Sequence, residues 1–322
     1  MLRGISYAVS HRPEVVREVA RTLRDDLHVD AVMLIDGDPD TLRDAARIAL
    51  QEGLAVWIRP SLEDATEADL LAHLRRVASD AETLRREHPG RVTLLVGTEF
   101  SLTTRVVLPG RWTLARLQII IRARRVFDRR ITRRLDRLLA ATVEVARDHF
   151  AGPLSYGAAY WERVDWSRFD VVGVNLYRIG LDRAAYDADL DRRIEEAHAA
   201  DKPFVVTEFG CGAFVDAERW GPGGFLIVKW FSDPPRVRDG HDRDESVQAA
   251  HLGELIDLYD RHRTDGCFVF TFSMTDFPRS DDPEHDLDRA GFGIVSVDPE
   301  RPDTWTPKQA FAAVAERYAR LG

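Results

Sequence analysis

The sequence predicts an α/β protein that folds as a single (β/α)₈ TIM barrel over residues 1–322. Eight short apolar runs rich in β-branched residues alternate with amphipathic helical stretches along the chain. Together they span about 300 residues, a length typical of such a barrel. A doubly wound open sheet usually has a glycine-rich phosphate turn after its first strand, and Tyr7–His11 is not such a turn. One barrel domain is therefore the simplest prediction.

The predicted strands share an apolar, β-branched composition of four to seven residues. In chain order they are Gly4–Ala8, Asp30–Ile35, Ala55–Ile58, Val92–Thr98, Leu154–Gly157, Val171–Asn175, Phe204–Thr207 and Cys267–Thr271.

The predicted helices share an apolar face that repeats every three to four residues. They are Glu14–Leu27, Pro39–Glu52, Glu67–Glu87, Leu114–Phe150, Ala184–Ala200, Glu245–Arg263 and Pro307–Leu321. Start signals precede three of them: Asp38-Pro39, Thr66-Glu67 and Thr306-Pro307. Only the link between strands five and six, residues 161–169, is too short for a full helix.

Bulk composition excludes several classes of function. The chain has 45 Lys and Arg residues against 54 Asp and Glu residues, a net charge of −9, which gives no electrostatic basis for a nucleic-acid partner. The Arg-rich stretch Arg122–Arg137 also contains Asp128 and Asp136 and predicts a solvated helix face. No apolar run approaches the roughly 18 residues of a membrane helix. A strand that begins at Gly4 leaves no room for a signal peptide, so a cytoplasmic location is expected.

Cysteine and histidine spacing gives no sign of a metal or cofactor. Cys211 and Cys267 form no CxxC pair, so neither a disulfide framework nor a zinc site is indicated. A metal site made of His285, Asp286 and Asp288 is a weak alternative, because its ligands come from one loop segment. We expect no cofactor.

Two glutamates, Glu99 and Glu208, each close a short apolar run, follow a threonine and precede a phenylalanine. A desolvated carboxylate costs several kcal/mol unless something pairs with it, so its position at a strand end requires a reason. An ion pair with one of the many arginines is the structural alternative. Two carboxylates that face each other across a pocket are the catalytic arrangement of glycosidases.

Loop lengths agree with this interpretation. Active sites of (β/α)₈ barrels lie at the carboxyl ends of the strands. Three of the predicted loops there are long: Ser101–Thr113, Phe209–Asp244 and Phe272–Thr306. The two glutamates lie at the start of the first two, after strands four and seven.

Glutamates that end strands four and seven are the signature of the clan A glycoside hydrolases. Gly97–Phe100 resembles the strand-four motif of the family 113 mannanases, and Thr207–Gly210 resembles the clan's strand-seven nucleophile motif. The whole chain also resembles uncharacterised actinobacterial barrel proteins, some of them labelled abortive-infection proteins. That second resemblance rests on Trp161–Trp166, Phe169–Gly173, Val205–Gly210, Asp282–Asp288 and Gly291–Val295.

The resemblance implies a retaining O-glycoside hydrolase that acts on a small or internalised β-glycoside, with oligosaccharides or small molecules as partners. In it, Glu99 is the general acid/base and Glu208 the nucleophile. Tyr177 matches a clan tyrosine that donates a hydrogen bond to the nucleophile. A rim aromatic is the structural alternative for Tyr177.

Further substrate-binding candidates come from the residues themselves. Asn175 ends strand six and can bind a sugar hydroxyl or form a turn. Aromatic faces bind the apolar faces of sugar rings, although a single aromatic residue is more often part of a core. The aromatic candidates at or just past strand ends are Trp57, Trp161, Trp230 and Phe270, and the polar candidates are Arg59, Asp276 and His285.

Three departures from the clan pattern affect the sugar-binding part of this prediction. Thr98 stands where most members have an asparagine before the acid. Met33–Ile35 on strand two offers no arginine, and Phe270 replaces a common tryptophan. A second hypothesis, motivated by the abortive-infection label of the similar proteins, is a barrel that binds a carbohydrate or another ligand without cleaving it, in a defence or accessory role. A third, ranked last, is a phosphate-binding lyase or isomerase with an anion nest among Gly210, Gly212, Gly221, Gly223 and Gly224.

Overall fold

The structure, a computed structural model, describes residues 1–180 and 182–322, apart from the side chains of residues 114, 124 and 125. In this part of the chain, eight parallel strands close into a barrel in which each strand pairs with its neighbours in the sequence and the eighth pairs with the first. The strands are Leu2–Ala8, Ala31–Asp36, Ala55–Pro60, Val92–Thr98, Leu154–Ala159, Val172–Asn175, Phe204–Phe209 and Gly266–Val269. The predicted fold class is confirmed.

Helices connect most of these strands. They are Pro13–Asp25, Pro39–Gln51, Glu67–Glu87, the short Phe100–Thr103, Thr113–His149, Arg183–Ala199, Glu245–Arg261 and Gln309–Arg320. Two predicted starts carry side-chain caps: Asp38 accepts from the Thr41 N–H and Thr66 from the Asp69 N–H. None of the helices in the described residues is long and apolar enough to cross a lipid bilayer.

Several predicted boundaries differ from the structure by one or two residues, and two of these differences have a clear physical cause. Thr306 and Pro307 do not start the last helix, because they belong to the hairpin strand Arg301–Pro307, which pairs with Val295–Asp298. The eighth strand ends at Val269 rather than Thr271, because the Thr271 N–H turns away to the Phe292 carbonyl oxygen. In both places the chain forms hydrogen bonds with a partner that the local sequence does not specify.

The barrel interior is filled by a separate apolar cluster. It consists of Ala31, Met33, Trp57, Leu95, Val171, Val205 and Phe268, with the ring centroids of Trp57 and Phe268 4.8 Å apart. The larger core lies between the outer face of the strands and the helices. The residues two positions beyond the interior layer, towards the carboxyl ends of the strands, can face the mouth of the barrel.

Strands four and seven each carry a β-bulge just before their glutamate. Along strand four, three steps from Leu95 to Thr98 oppose two steps on strand five. Along strand seven, two steps from Val206 to Glu208 oppose a single step on strand six. A bulge inserts one residue and re-aims the side chains that follow it. Gly97 makes the first bulge possible, because a Cβ there would lie 2.2 Å from the Phe100 ring.

The long loops after strands seven and eight pack together as a second apolar cluster. Its members are Cys211, Phe214, Ala217, Ile227, Val228, Val237, Phe277, Leu287 and Ala290. A short hairpin, Val228–Lys229 with Arg236–Val237, belongs to the first of these loops. The loop after strand eight contains the hairpin that ends at Pro307. These loops therefore form ordered walls next to strand seven.

The wholly buried Arg116 fixes the loop after strand four. Its guanidinium donates to the carbonyl oxygens of Leu102, at 2.6 Å, and Gly110, at 2.9 Å, and forms an ion pair with Asp64. A buried ion pair that loses one partner leaves an uncompensated charge in the protein.

We therefore expect Arg116→Met to lower the free energy of unfolding by about 3 kcal/mol. Urea unfolding followed by circular dichroism measures this change. The matched control is Arg192→Met, which removes an exposed ion pair with Asp189 and should change stability by less than about 0.5 kcal/mol. Equal effects of the two substitutions would contradict the anchoring role of Arg116.

Candidate active site

Glu99 follows strand four in a left-handed backbone conformation, with φ 41° and ψ 49°. A residue other than glycine adopts this conformation only when its surroundings hold it there. The Glu99 N–H donates to the Gly157 carbonyl oxygen on strand five at 2.8 Å. Its partly buried carboxylate accepts a hydrogen bond from Asn175 Nδ2 at 3.0 Å. The turn thus directs the carboxylate towards strand six.

Glu208 lies within strand seven, and only 6% of it is exposed. Its Oε2 accepts a hydrogen bond from the Tyr177 hydroxyl at 2.8 Å. Its Oε1 forms a charged hydrogen bond with the guanidinium of Arg59 on strand three. Glu208 therefore has a cationic and a neutral donor, one on each oxygen.

Asn175 links the Glu99 carboxylate to strand seven. Its Nδ2 donates to both Thr98 and Glu99, and its Oδ1 accepts from the Thr207 hydroxyl at 2.8 Å. On the backbone, Asn175 is the register partner of Glu208. Both amide protons are used within the protein, so Asn175 has the contacts of a positioning residue rather than the free donor that the sequence predicts for a sugar hydroxyl.

The two glutamates have different electrostatic surroundings. Burial, and then the negative charge of Glu208, raise the pKa of Glu99 to about 8, against the opposing effect of the Asn175 hydrogen bond. Glu99 is therefore protonated at neutral pH. Burial and the charge of Glu208 also raise the pKa of Tyr177 far above its usual range, which keeps its hydroxyl a donor. An acid and a carboxylate with different environments are the arrangement needed for acid–base chemistry.

The family resemblance leads one to expect an arginine on strand two, but the arginine beside Glu208 is Arg59, on strand three. Strand two offers Ile35 at that level, and Ile35 is the register partner of Arg59. The guanidinium reaches Glu208 from the adjacent strand instead. Sequence reasoning proposed Arg59 as a substrate-binding residue. It raised an ion pair with an arginine as the alternative role of each glutamate, but did not name Arg59 as the partner of Glu208.

Phe270 and Trp161 lie close to this group. The Phe270 ring contacts the ring of Phe292, with centroids 6.2 Å apart, and Phe292 also contacts Tyr177. Trp161 donates from its indole Nε1 to the Ser101 hydroxyl, two residues after Glu99. Both aromatic rings are partly exposed, and their positions are compatible with contact to a bound ring.

The other two aromatic candidates, Trp57 and Trp230, pack in apolar clusters. Trp57 is not near the mouth, because it lies two residues before Arg59 on the same face of strand three, one layer deeper in the barrel core. Trp230 packs in the second apolar cluster, where its ring contacts Phe277 and its Nε1 bonds to the Phe225 carbonyl oxygen.

The polar candidates on the eighth loop also lie outside the group. Asp276 is exposed, and His285 forms a hydrogen bond with Asp282 on its own loop. Asp286 and Asp288 are buried ion-pair partners of Arg243 rather than free ligands. Within the described residues, no group of three or more His, Cys, Asp or Glu is arranged to hold a metal ion.

The proposed anion nest is not supported by the packing of its glycines. A Cβ on Gly210 would lie 2.7 Å from the Phe270 carbonyl oxygen, and one on Gly212 would lie 2.6 Å from the Arg289 carbonyl oxygen. Gly224 packs near the rings of Phe214 and Phe292. These three glycines permit close packing against neighbouring chain segments.

Sequence reasoning missed a third carboxylate near the site. Glu162 is 7% exposed, follows strand five and accepts hydrogen bonds from the Ser101 N–H and the Tyr156 hydroxyl, both at 2.9 Å. Its sequence signal is the same as that of Glu99, a glutamate shortly after an apolar strand.

Solved structures with the same fold include glycoside hydrolases. The complex structure of a GH113 β-1,4-mannanase has a TM-score of 0.62 at 14% identity, covering 99% of this chain and 98% of that one. The GH113 β-mannanase of Alicyclobacillus acidocaldarius, in complex with ManMIm, gives 0.61 at 15% identity, covering 100% and 98%. A GH2 β-galacturonidase from Eisenbergiella tayi gives 0.63 at 18% identity, covering 100% of this chain and 51% of that one.

At this level of identity the similarity establishes the fold alone. At the level of sequence, no family profile and no curated protein matches this chain. The resemblance to actinobacterial barrel proteins stays a prediction.

The raised pKa of Glu99 predicts that the free energy of unfolding falls as the pH rises. Between its ordinary pKa of 4.5 and its native pKa of about 8, Glu99 binds more protons in the folded protein than in the unfolded chain. Its contribution to stability is therefore full below pH 4.5 and is lost as the pH rises through about 8. Urea unfolding of the wild type and of Glu99→Gln at pH 5, 6, 7 and 8 should show the wild type losing stability relative to the variant. If the free energies of unfolding of the wild type and of Glu99→Gln changed in parallel with pH, this would contradict the raised pKa of Glu99.

Proposed function

We propose that this protein is a retaining O-glycoside hydrolase that acts on a small or internalised β-glycoside through Glu99 and Glu208. The observation that carries the proposal is the contrast between the two glutamates: Glu99 is protonated at neutral pH, while Glu208 is charged beside Arg59 and Tyr177. Glycoside hydrolysis requires one proton donor and one carboxylate. The glycosidase fold neighbours support the proposal.

In the first step a Glu208 oxygen attacks the anomeric carbon. The bond to the departing oxygen breaks, and Glu99 gives that oxygen its proton. Glu208 is then a neutral ester, which removes the charge that helps to keep Glu99 protonated. Glu99 is left as a carboxylate and can act as a base.

In the second step Glu99 takes a proton from a water molecule whose oxygen attacks the same carbon. The ester bond breaks, Glu208 regains its charge, and Glu99 is again protonated. Arg59 and Tyr177 stabilise the Glu208 carboxylate before the first step and after the second. Two displacements at one carbon give net retention of configuration.

The position of Asn175, a neighbour of both glutamates, favours retention of configuration at the anomeric carbon over inversion. Asn175 bonds the Glu99 carboxylate and pairs with Glu208 on the adjacent strand. The charge of Glu208 is also the second largest cause of the raised Glu99 pKa. A short separation of the carboxylates suits a nucleophile, whereas an inverting pair needs room for a water molecule between them.

We expect Glu208→Ala to lower turnover of aryl β-glycosides by roughly 10⁴-fold or more, because it removes the carboxylate that forms the ester. Added azide should partly restore turnover and give an α-glycosyl azide, the product of a single inverting displacement, detected by mass spectrometry and NMR. The exposed Glu87→Ala is the matched control and should keep wild-type activity without an azide product. Full activity of Glu208→Ala would exclude the mechanism.

A non-hydrolytic sugar-binding barrel is the second candidate, favoured by the saturated amide of Asn175, which leaves that side chain no free donor for a sugar hydroxyl. A panel of aryl β-mannosides, β-glucosides and β-glucuronides separates the two. Release of the aryl group supports hydrolysis. A raised melting temperature with an intact sugar, and no release from any member, supports binding alone.

A further inference from the structure

Glu162 is a buried carboxylate whose partners are all uncharged donors. It accepts hydrogen bonds from the Ser101 N–H at 2.9 Å, the Tyr156 hydroxyl at 2.9 Å and the Ala159 N–H at 3.0 Å. None of these groups accepts a proton from it: Tyr156 donates to Glu162 and accepts from the Phe100 N–H. Burial raises the pKa of Glu162, and the hydrogen bonds from Ser101, Ala159 and Tyr156 oppose that shift, so this set of donors, the cage of Glu162, favours its ionised form.

Glu162 and its neighbours also hold the backbone next to Glu99 through hydrogen bonds. The N–H groups of Glu99, Phe100 and Ser101 are consecutive, and each is held by strand five or by the turn that follows it. Their acceptors are the Gly157 carbonyl oxygen at 2.8 Å, the Tyr156 hydroxyl at 2.6 Å and Glu162. Glu162 accepts one of these hydrogen bonds directly and orients the hydroxyl that accepts another.

These three hydrogen bonds explain how Glu99 keeps its left-handed conformation. The turn at Glu99 directs its carboxylate to Asn175, and a turn of ordinary right-handed geometry would direct it elsewhere. Three backbone hydrogen bonds to one neighbouring segment offset the strain of this conformation.

We propose that Glu162 is a positioning residue for Glu99, holding the backbone turn that aims the Glu99 carboxylate at Asn175 and at the reaction centre. This role rests on the proposed function, in which Glu99 is the acid. Glu162 acts through Glu99 and not on the substrate.

The charge of Glu162 adds an electrostatic effect to the geometric one. The charged or titratable groups that act on Glu99 come from three elements: Glu208 on strand seven, Glu162 after strand five and Arg59 on strand three. The two glutamates raise the pKa of Glu99, whereas Arg59 and the Asn175 hydrogen bond lower it. Loss of the Glu162 charge should therefore move the pKa of Glu99 downwards.

The test compares Glu162→Gln, Glu162→Asp and Glu82→Gln. Glu82 is the matched control, because it is also buried and also accepts a backbone N–H, from Ala151, but lies on helix Glu67–Glu87 and pairs with Arg85. Carboxyl ¹³C NMR of glutamate-labelled protein reports the pKa of Glu99 directly, with Glu99→Gln assigning the resonance. This readout does not depend on finding a substrate.

In Glu162→Gln we expect the pKa of Glu99 to fall by about one pH unit, which is the size of effect that a nearby like charge produces. The alkaline limb of kcat/KM should move by the same amount, kcat should fall about tenfold or more, and KM should stay within about threefold. Glu162→Asp keeps the charge and should recover most of the wild-type pKa. Glu82→Gln should lower stability without moving the Glu99 resonance.

An unchanged Glu99 pKa in folded Glu162→Gln overturns the proposal, as does an equal shift in Glu82→Gln. If Glu162→Gln does not fold, Tyr156→Phe tests the same turn, since it removes the hydroxyl that accepts from the Phe100 N–H and donates to Glu162. An unchanged Glu99 resonance in Tyr156→Phe then overturns the proposal. Absence of glycosidase activity in the wild type would refute the proposed function and leave the NMR comparison intact.

Discussion

The side-chain amide of Asn175 is the contact on which the geometry of both glutamates depends. It bonds Thr98 and Glu99 at the end of strand four and Thr207 on strand seven, while its backbone pairs with Glu208. Every donor and acceptor of this buried amide faces the protein, and an unpaired one would cost about 1–3 kcal/mol. The ends of two strands that are far apart in the sequence are thereby held in one fixed relation.

On either side of Asn175, two glutamates have different surroundings and therefore different protonation behaviour. Glu208 lies between a guanidinium and a phenol hydroxyl, whereas Glu99 lies in a partly buried turn with two other carboxylates acting on it. A difference in protonation then follows from burial and charge alone. The rest of the candidate site supports that difference: Arg59 supplies charge to one side, and the cage of Glu162 holds the turn on the other.

The fold does not by itself decide the chemistry. (β/α)₈ barrels carry many unrelated activities, and the solved glycosidases with this fold share only 14–18% of their residues with the chain. The argument for hydrolysis therefore comes from the side chains. Strands two and three are paired, so Ile35 and Arg59 lie at the same level of the barrel. Strand two has no charged side chain at this level, and the positive charge beside Glu208 comes from Arg59 on strand three.

The sequence by itself determined the barrel, the caps at Asp38 and Thr66, and the position of one glutamate just after strand four and another near the end of strand seven, because apolar periodicity and capping act between near neighbours in the chain. Only the tertiary structure decided how those glutamates point. Strict alternation from the inward Val205 would turn Glu208 outward, and the bulge brings it to Tyr177 instead. The depth of Trp57, the ion pair of Arg59 and the cage of Glu162 likewise depend on pairing between distant strands, which no local pattern encodes.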